Sequence, residues 1–248
     1  MRCEVVPGSP RLIVSSPSAL FVPPPESGSG PGTVKNVLES SRRPGRFVLT
    51  LADGRTFTVA IAALSATGAT RAGIELDADA VAFLGRESAI TDLSDRAVNA
   101  LARGRKTRRE LEIRLRRVQP DVSLIAEALD RLAAVGVLSD EDVAHAEAAA
   151  RLRRGEAPAR VRQVLRRKGV EGRMVNEAVS AAISEDGFDE LASCRAVAEK
   201  RVRALGAKEP AVLRRRLVAF LQRRGFGGSV IGQVLREVLG RQTEHDGE

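Results

Sequence analysis

The chain has 248 residues, of which 43% are apolar and only 3% aromatic, with neither Trp nor Tyr. A core can form, but from Leu, Val, Ile and Ala, which disfavours an aromatic-rich β-sandwich and favours helices. The formal net charge of +8 points to a polyanionic partner, and Cys3 and Cys194, far apart in sequence, exclude a disulfide framework and a cysteine-built metal site and fit a reducing cytoplasm.

Residues 1–41 are rich in Ser, Pro and Gly and read as a disordered tail. Its apolar stretch LIVSSPSALFV is broken by Ser and Pro, and no run of 18 apolar residues occurs anywhere in the chain, so no membrane segment is expected. Residues 42–90 read as a small β-containing module. Within it, RFVLTLADGRTFTVAI places Asp53-Gly54 between two alternating runs, a strong hairpin signal because both turn positions tolerate positive φ. A short helix, a Gly-bearing turn, a short strand and another short helix follow.

From Thr91 the apolar period becomes helical. Three segments share one plan: LRRVQPDVSLIAEAL (115–129), LRRKGVEGRMVNEAV (165–179) and LQRRGFGGSVIGQVL (221–235). Aligning Leu115, Leu165 and Leu221 brings the apolar positions into register at offsets of 50 and 56 residues, which predicts tandem helical units. The repeats are placed at 91–140, 141–190 and 191–240, followed by a tail at 241–248. Each repeat reads as three helices. Gly104, Gly155 and Gly206 follow the first helices, and Gly169 and Gly225 close the second ones, with Val170 and Phe226 as the apolar contacts behind them. In the first repeat the Gly is replaced by Gln119, and Pro120 stops the helix.

Charge is bunched. Segment 103–117 has eight basic and two acidic side chains, 151–168 has eight and one, and 195–224 has ten and two. The sign reverses between them, with seven acids against one base in 121–147 and six against one in 171–190. Intramolecular pairing of basic second helices with acidic third helices is one reading, although exposed pairs contribute only about 0–1 kcal/mol each. The other is a basic face repeated along the array and meeting a polyanion. Candidate binding residues on that face are Arg105, Lys106, Arg108, Arg109, Arg116 and Arg117 in the first repeat. In the second they are Arg153, Arg154, Arg160, Arg162, Arg166, Arg167 and Lys168, and in the third Arg203, Arg214, Arg215, Arg216, Arg223 and Arg224. No aromatic stacking platform accompanies them, so contacts to a phosphate backbone or to an acidic protein surface are favoured over base readout.

Enzyme chemistry is nearly absent. The only histidines are His145, on the first helix of the second repeat, and His245, near the C-terminus, and no P-loop, dinucleotide fingerprint or nucleophile elbow occurs. Asp140-Glu141-Asp142 stands where a helix begins, capped by Ser139 or Asp140, and reads as complementing the helix dipole rather than holding a metal. No catalytic residue, metal or cofactor is expected.

RLRRGEAPARVRQVLRRKGV (151–170), preceded by LAAVGVLSDEDVAHA (132–146), resembles the RecX regulatory proteins, bacterial modulators of the recombinase RecA. The family pattern falls on Gly136, Leu138, Asp140, Arg151 or Arg153, Gly155 and Pro158. RRRLVAFLQRRGFGGSVIGQVLREV (214–238) matches the family's third repeat, and the resemblance covers about residues 42–240. It departs from the pattern where Val137 and Val143 stand at or near positions the family usually fills with aromatics, and at Gln119.

The resemblance implies a mainly α fold of three tandem three-helix repeats in an elongated, curved array, preceded by a small β-hairpin-containing module. It further implies a cytoplasmic monomer that binds the groove of the RecA–DNA filament, contacts single-stranded or duplex DNA through the backbone, and inhibits strand exchange, ATP hydrolysis and coprotease activity. Through these it would modulate DNA repair, recombination and the SOS response. The rival reading is a generic basic helical-repeat protein that binds nucleic acid or acts as a scaffold, unrelated to RecA.

Overall fold

The computed structural model describes residues 30–206 and 209–245. The N-terminal part is a four-stranded antiparallel sheet in the order β3-β2-β1-β4, made of β1 (Gly32–Glu39), β2 (Arg46–Leu51), β3 (Thr56–Ala60) and β4 (Glu75–Leu76). The hairpin forms where the sequence placed it: β2 pairs with β3, and the Leu51 amide donates to the Arg55 carbonyl at 2.8 Å across Asp53-Gly54. α1 (Ile61–Thr67) follows β3.

Strand β1 corrects the assignment of residues 1–41 as a disordered tail; the part of that stretch before residue 30 lies outside the described residues. Val34 on β1 is buried with Leu49, Leu51 and Val59, and Thr33–Val34 reach across to Glu75 and the Ile74 carbonyl. The surrounding Ser, Pro and Gly hide this strand from a composition argument, because its order comes from pairing with β2 on one side and β4 on the other.

α2 (Ala78–Leu101) corrects the boundary drawn at residue 90. It is one 24-residue helix rather than a short helix followed by a repeat. Asp77 caps it by accepting the Ala80 amide at 2.7 Å. Its first half sends Val81 and Leu84 into the sheet core, and its second half sends Ile90, Leu93, Ala97 and Ala100 into the core of the first repeat. Arg43 bridges to Asp92 at 2.6 Å and Arg46 to Asp95 at 3.2 Å, so the module is also tied to the helix by charge.

The first repeat is completed by α3 (Arg108–Leu115) and α4 (Val122–Ala134). The second comprises α5 (Asp140–Arg153), α6 (Pro158–Arg167) and α7 (Gly172–Glu185). The third comprises α8 (Glu190–Leu205), α9 (Pro210–Arg223) and α10 (Gly228–His245). α10 runs past the expected boundary at 240 and takes in residues 241–245 of the assigned tail. In each repeat the first and third helices pair most extensively and the second packs against both.

The register of the three repeats is a register of cores. Leu111, Leu115, Ile125 and Leu129 fill the first, Val161, Leu165, Val175 and Val179 the second, and Leu217, Leu221, Ile231 and Leu235 the third. Burying each such side chain contributes about 1.5–3 kcal/mol, so each repeat has its own hydrophobic justification. One repeat is joined to the next by hydrogen bonds and by the burial of small residues such as Ala157, and there the candidate site lies.

Candidate nucleic-acid interface

The second helices α3, α6 and α9 meet end to end. At the first joint Thr107 caps α3 in a capping box: its hydroxyl accepts the Glu110 amide at 3.2 Å, and the Glu110 carboxylate accepts the Thr107 amide at 3.0 Å. The same hydroxyl donates to the Lys168 carbonyl, at the C-terminus of α6, at 2.7 Å. At the second joint the corresponding residue, Ala157, donates its backbone amide to the Arg224 carbonyl, at the C-terminus of α9, at 2.9 Å. Each contact sets the positive end of one helix dipole against the negative end of the next, which is favourable.

These joints explain the glycines of the repeated phrase. Gly169 and Gly225 are left-handed, with φ of 86° and 88°. The amides behind them, on Val170 and Phe226, donate to the Leu165 and Leu221 carbonyls at 3.2 and 3.3 Å, closing the helices. A Cβ on Gly169 would stand 2.6 Å from the Arg109 Cβ, and one on Gly225 would stand 2.5 Å from the Arg160 Cβ. The preceding repeat therefore rests on the glycine itself. Gln119 occupies the equivalent place in the first repeat, which follows the sheet among the described residues rather than another three-helix repeat.

The structure divides the predicted basic residues. Arg108 is spent inside the first repeat, on Asp130 at 2.6 Å and Glu112 at 3.3 Å. Arg153 pairs with Asp186 at 3.2 Å. Lys168 lies between Glu147 at 3.1 Å and Glu110 at 3.8 Å and so clasps the first joint. Arg224 donates to the Arg154 and Gly155 carbonyls across the second joint and stacks on the Phe220 ring, with Arg201 also against that ring. Arg108, Arg153 and Lys168 are thus neutralised within the chain, while Arg224 is held by carbonyls and a ring rather than by an acid.

The remaining fifteen make no ion pair with a described residue. Arg105, Arg109, Arg116, Arg117, Arg154, Arg166, Arg167, Arg203, Arg214, Arg215, Arg216 and Arg223 are exposed, while Lys106, Arg160 and Arg162 are half-buried. Arg160 donates to the Gln163 side chain at 2.7 Å. Around the second joint Ala159, Arg160, Gln163, Gln222, Arg223 and Gly225 line an open cleft of about 550 Å³ with no carboxylate in its wall.

Sequence reasoning missed the residues that build the joints. Thr107 is fully buried, and the T-x-x-E spacing of Thr107 and Glu110 was its available signal. Asp140 does not cap α5, a task Ser139 performs; it accepts the Arg108 amide of the first repeat at 2.7 Å. Burial pushes its carboxyl above the ordinary value despite that bond. Burial acts the same way on Glu147, but hydrogen bonds from Lys168 and Arg151 outweigh it and hold that carboxyl below its ordinary value. His145 sits half-exposed on α5, 4.0 Å from Glu141. Among the described residues no group of three or more His, Cys, Asp or Glu could hold a metal, and no helix is long and apolar enough to cross a membrane.

A sequence profile of the third three-helix domain of RecX matches residues 189–235. A regulatory protein RecX of Deinococcus radiodurans is 39% identical over 142 residues, covering 57% of this chain and 66% of the relative. One of Halorhodospira halophila is 39% identical over 134 residues, covering 53% of this chain and 79% of the relative. Among solved structures, a crystal structure of regulatory protein RecX superposes with a TM-score of 0.64 at 19% identity, covering 82% of this chain and 98% of the other, a likeness of fold.

Proposed function

Because the chain belongs to the RecX family of regulatory proteins, we propose that it binds a RecA filament on single-stranded DNA and inhibits the recombinase, its ATPase and its coprotease activity. It acts in this reading as a regulator and not as an enzyme, in keeping with relatives that are named regulatory proteins. The observation that supports it is the set of exposed arginines on and beside the second helices, left without carboxylate partners among the described residues while neighbouring cations are neutralised. Like charges held this densely repel one another, and a scaffold alone gains nothing from them. A phosphate backbone neutralises them and releases counterions.

The array suits a periodic target. Its three second helices touch end to end, so their basic side chains follow one another along one line of elements. RecA ATPase on single-stranded DNA, measured with substoichiometric protein, tests the reading. Inhibition is expected; its absence at every ratio would leave a generic basic repeat protein instead. Replacing Arg214, Arg215 and Arg216 together by Ala is expected to weaken DNA binding and flatten its salt dependence while the thermal transition stays in place.

A further inference from the structure

The cleft at the second joint is built from two repeats at once. Ala159, Arg160 and Gln163 come from the start of α6, and Gln222, Arg223 and Gly225 from the end of α9. Its polar wall consists of two guanidiniums and two carboxamides. Neither Arg160 nor Arg223 has a carboxylate partner among the described residues. Arg160 is held by Gln163 at 2.7 Å, and its backbone is fixed by contact with Gly225, so its charge is positioned rather than free to swing. A wall of guanidinium and carboxamide donors with no acid selects an oxygen-rich anion. At about 550 Å³ the space accommodates a nucleotide-sized piece of ligand, and its open mouth admits a chain that enters and leaves.

We infer that this cleft is a phosphodiester site, where the backbone of a single-stranded nucleic acid is gripped by Arg160 of the second repeat and Arg223 of the third. The inference deepens the proposed function and rests on its reading of the second helices as a phosphate-facing surface. Because the two cations belong to different repeats, occupancy also clamps the joint. The joint is otherwise held by the Ala157–Arg224 backbone bond, the two carbonyl contacts of the Arg224 side chain, burial of Ala157 in the core of the third repeat, and packing of Gly155 on Val197 and of Gly225 on Arg160. Nucleic acid bound here sets the angle between the second and third repeats as well as anchoring the chain.

The test uses the full-length protein without RecA and a fluorescein-labelled oligothymidylate, with anisotropy followed against NaCl concentration. Arg160→Gln combined with Arg223→Gln is expected to make the log–log salt slope shallower by about 1.4, at roughly 0.7 for each of two single-strand phosphates. Arg160→Lys with Arg223→Lys retains the slope. Hydrogen exchange at the Ala157 amide, which reports the joint, slows when the oligonucleotide is added to the wild type and does not slow in the Gln variant. An unchanged slope in the Gln variant, alongside a flattened one in the Arg214/Arg215/Arg216 variant, overturns the cleft while leaving the wider reading standing. No flattening in either variant overturns both. Displacement of the oligonucleotide by equimolar inorganic phosphate assigns the cleft to a free anion and overturns the backbone assignment. Binding of polyglutamate that depends on these two arginines, with oligonucleotide binding unaffected by their loss, assigns it to an acidic protein and does the same.

Discussion

The buried hydroxyl of Thr107 donates to the backbone carbonyl of Lys168, 61 positions further along the chain, at 2.7 Å. One side chain thus caps its own helix and anchors the next repeat. Thr107→Ala removes both functions and leaves the Lys168 carbonyl without this donor. A loss of about 1–3 kcal/mol is expected, read as a lower urea midpoint. Thr107→Ser keeps the hydroxyl and is expected to recover most of it.

The glycines of the joints are expected to be irreplaceable in a way that their first-repeat counterpart is not. Gly169→Ala and Gly225→Ala combine a left-handed backbone with a Cβ collision against Arg109 or Arg160. Each is expected to cost more than the roughly 1 kcal/mol assigned to a left-handed backbone alone. Gly172→Ala is the control: it has open space and ordinary φ at the start of α7, and is expected to be neutral or to stabilise by up to about 1 kcal/mol. Thermal unfolding of the three variants ranks them, and equal losses at all three positions would refute the joint geometry.

The first joint is expected to loosen in acid. Glu147 is held below its ordinary value of 4.5 by Lys168 and Arg151. Its folded pKa is depressed, so its contribution is present above pH 4.5 and is lost as the pH falls through the depressed value. Comparing urea midpoints above and below that window, Glu147→Gln should show a smaller drop than the wild type. Asp140 has the opposite sign: burial raises its pKa, so its ionisation opposes folding as the pH rises. Asp140→Asn keeps an acceptor for the Arg108 amide and is expected to be tolerated better than Asp140→Ala.

Cys194 is fully buried in the core of the third repeat, and burial pushes its thiol up to about 11. In a Cys3→Ser background, iodoacetamide near pH 8.5 is expected to leave the native protein unmodified and to label it once denatured. Labelling at the same rate in both states would show that the third repeat opens freely.

The sequence by itself determined the repeats. Leu115, Leu165 and Leu221 could be aligned because a helix buries one face at a fixed period, and that period is written in the order of the residues whatever surrounds them. The hairpin at Asp53-Gly54 was legible for the same reason, since turn chemistry is local. The basic clusters were legible as charge. Which charges remain available was decided by the tertiary structure, because an ion pair depends on distance in space: Arg108 and Lys168 find carboxylates on other helices, while Arg166 and Arg167, two and one positions before Lys168, find none among the described residues. Strand β1 escaped because its order comes from pairing with β2 and β4, which leaves no periodic signature within an eight-residue run that follows a stretch of Ser, Pro and Gly. The continuity of α2 escaped because two different cores share it, one on each half. The joints are tertiary altogether. A glycine that looks like a helix stop is also a seat for Arg109 or Arg160, and only the folded chain brings those residues to it.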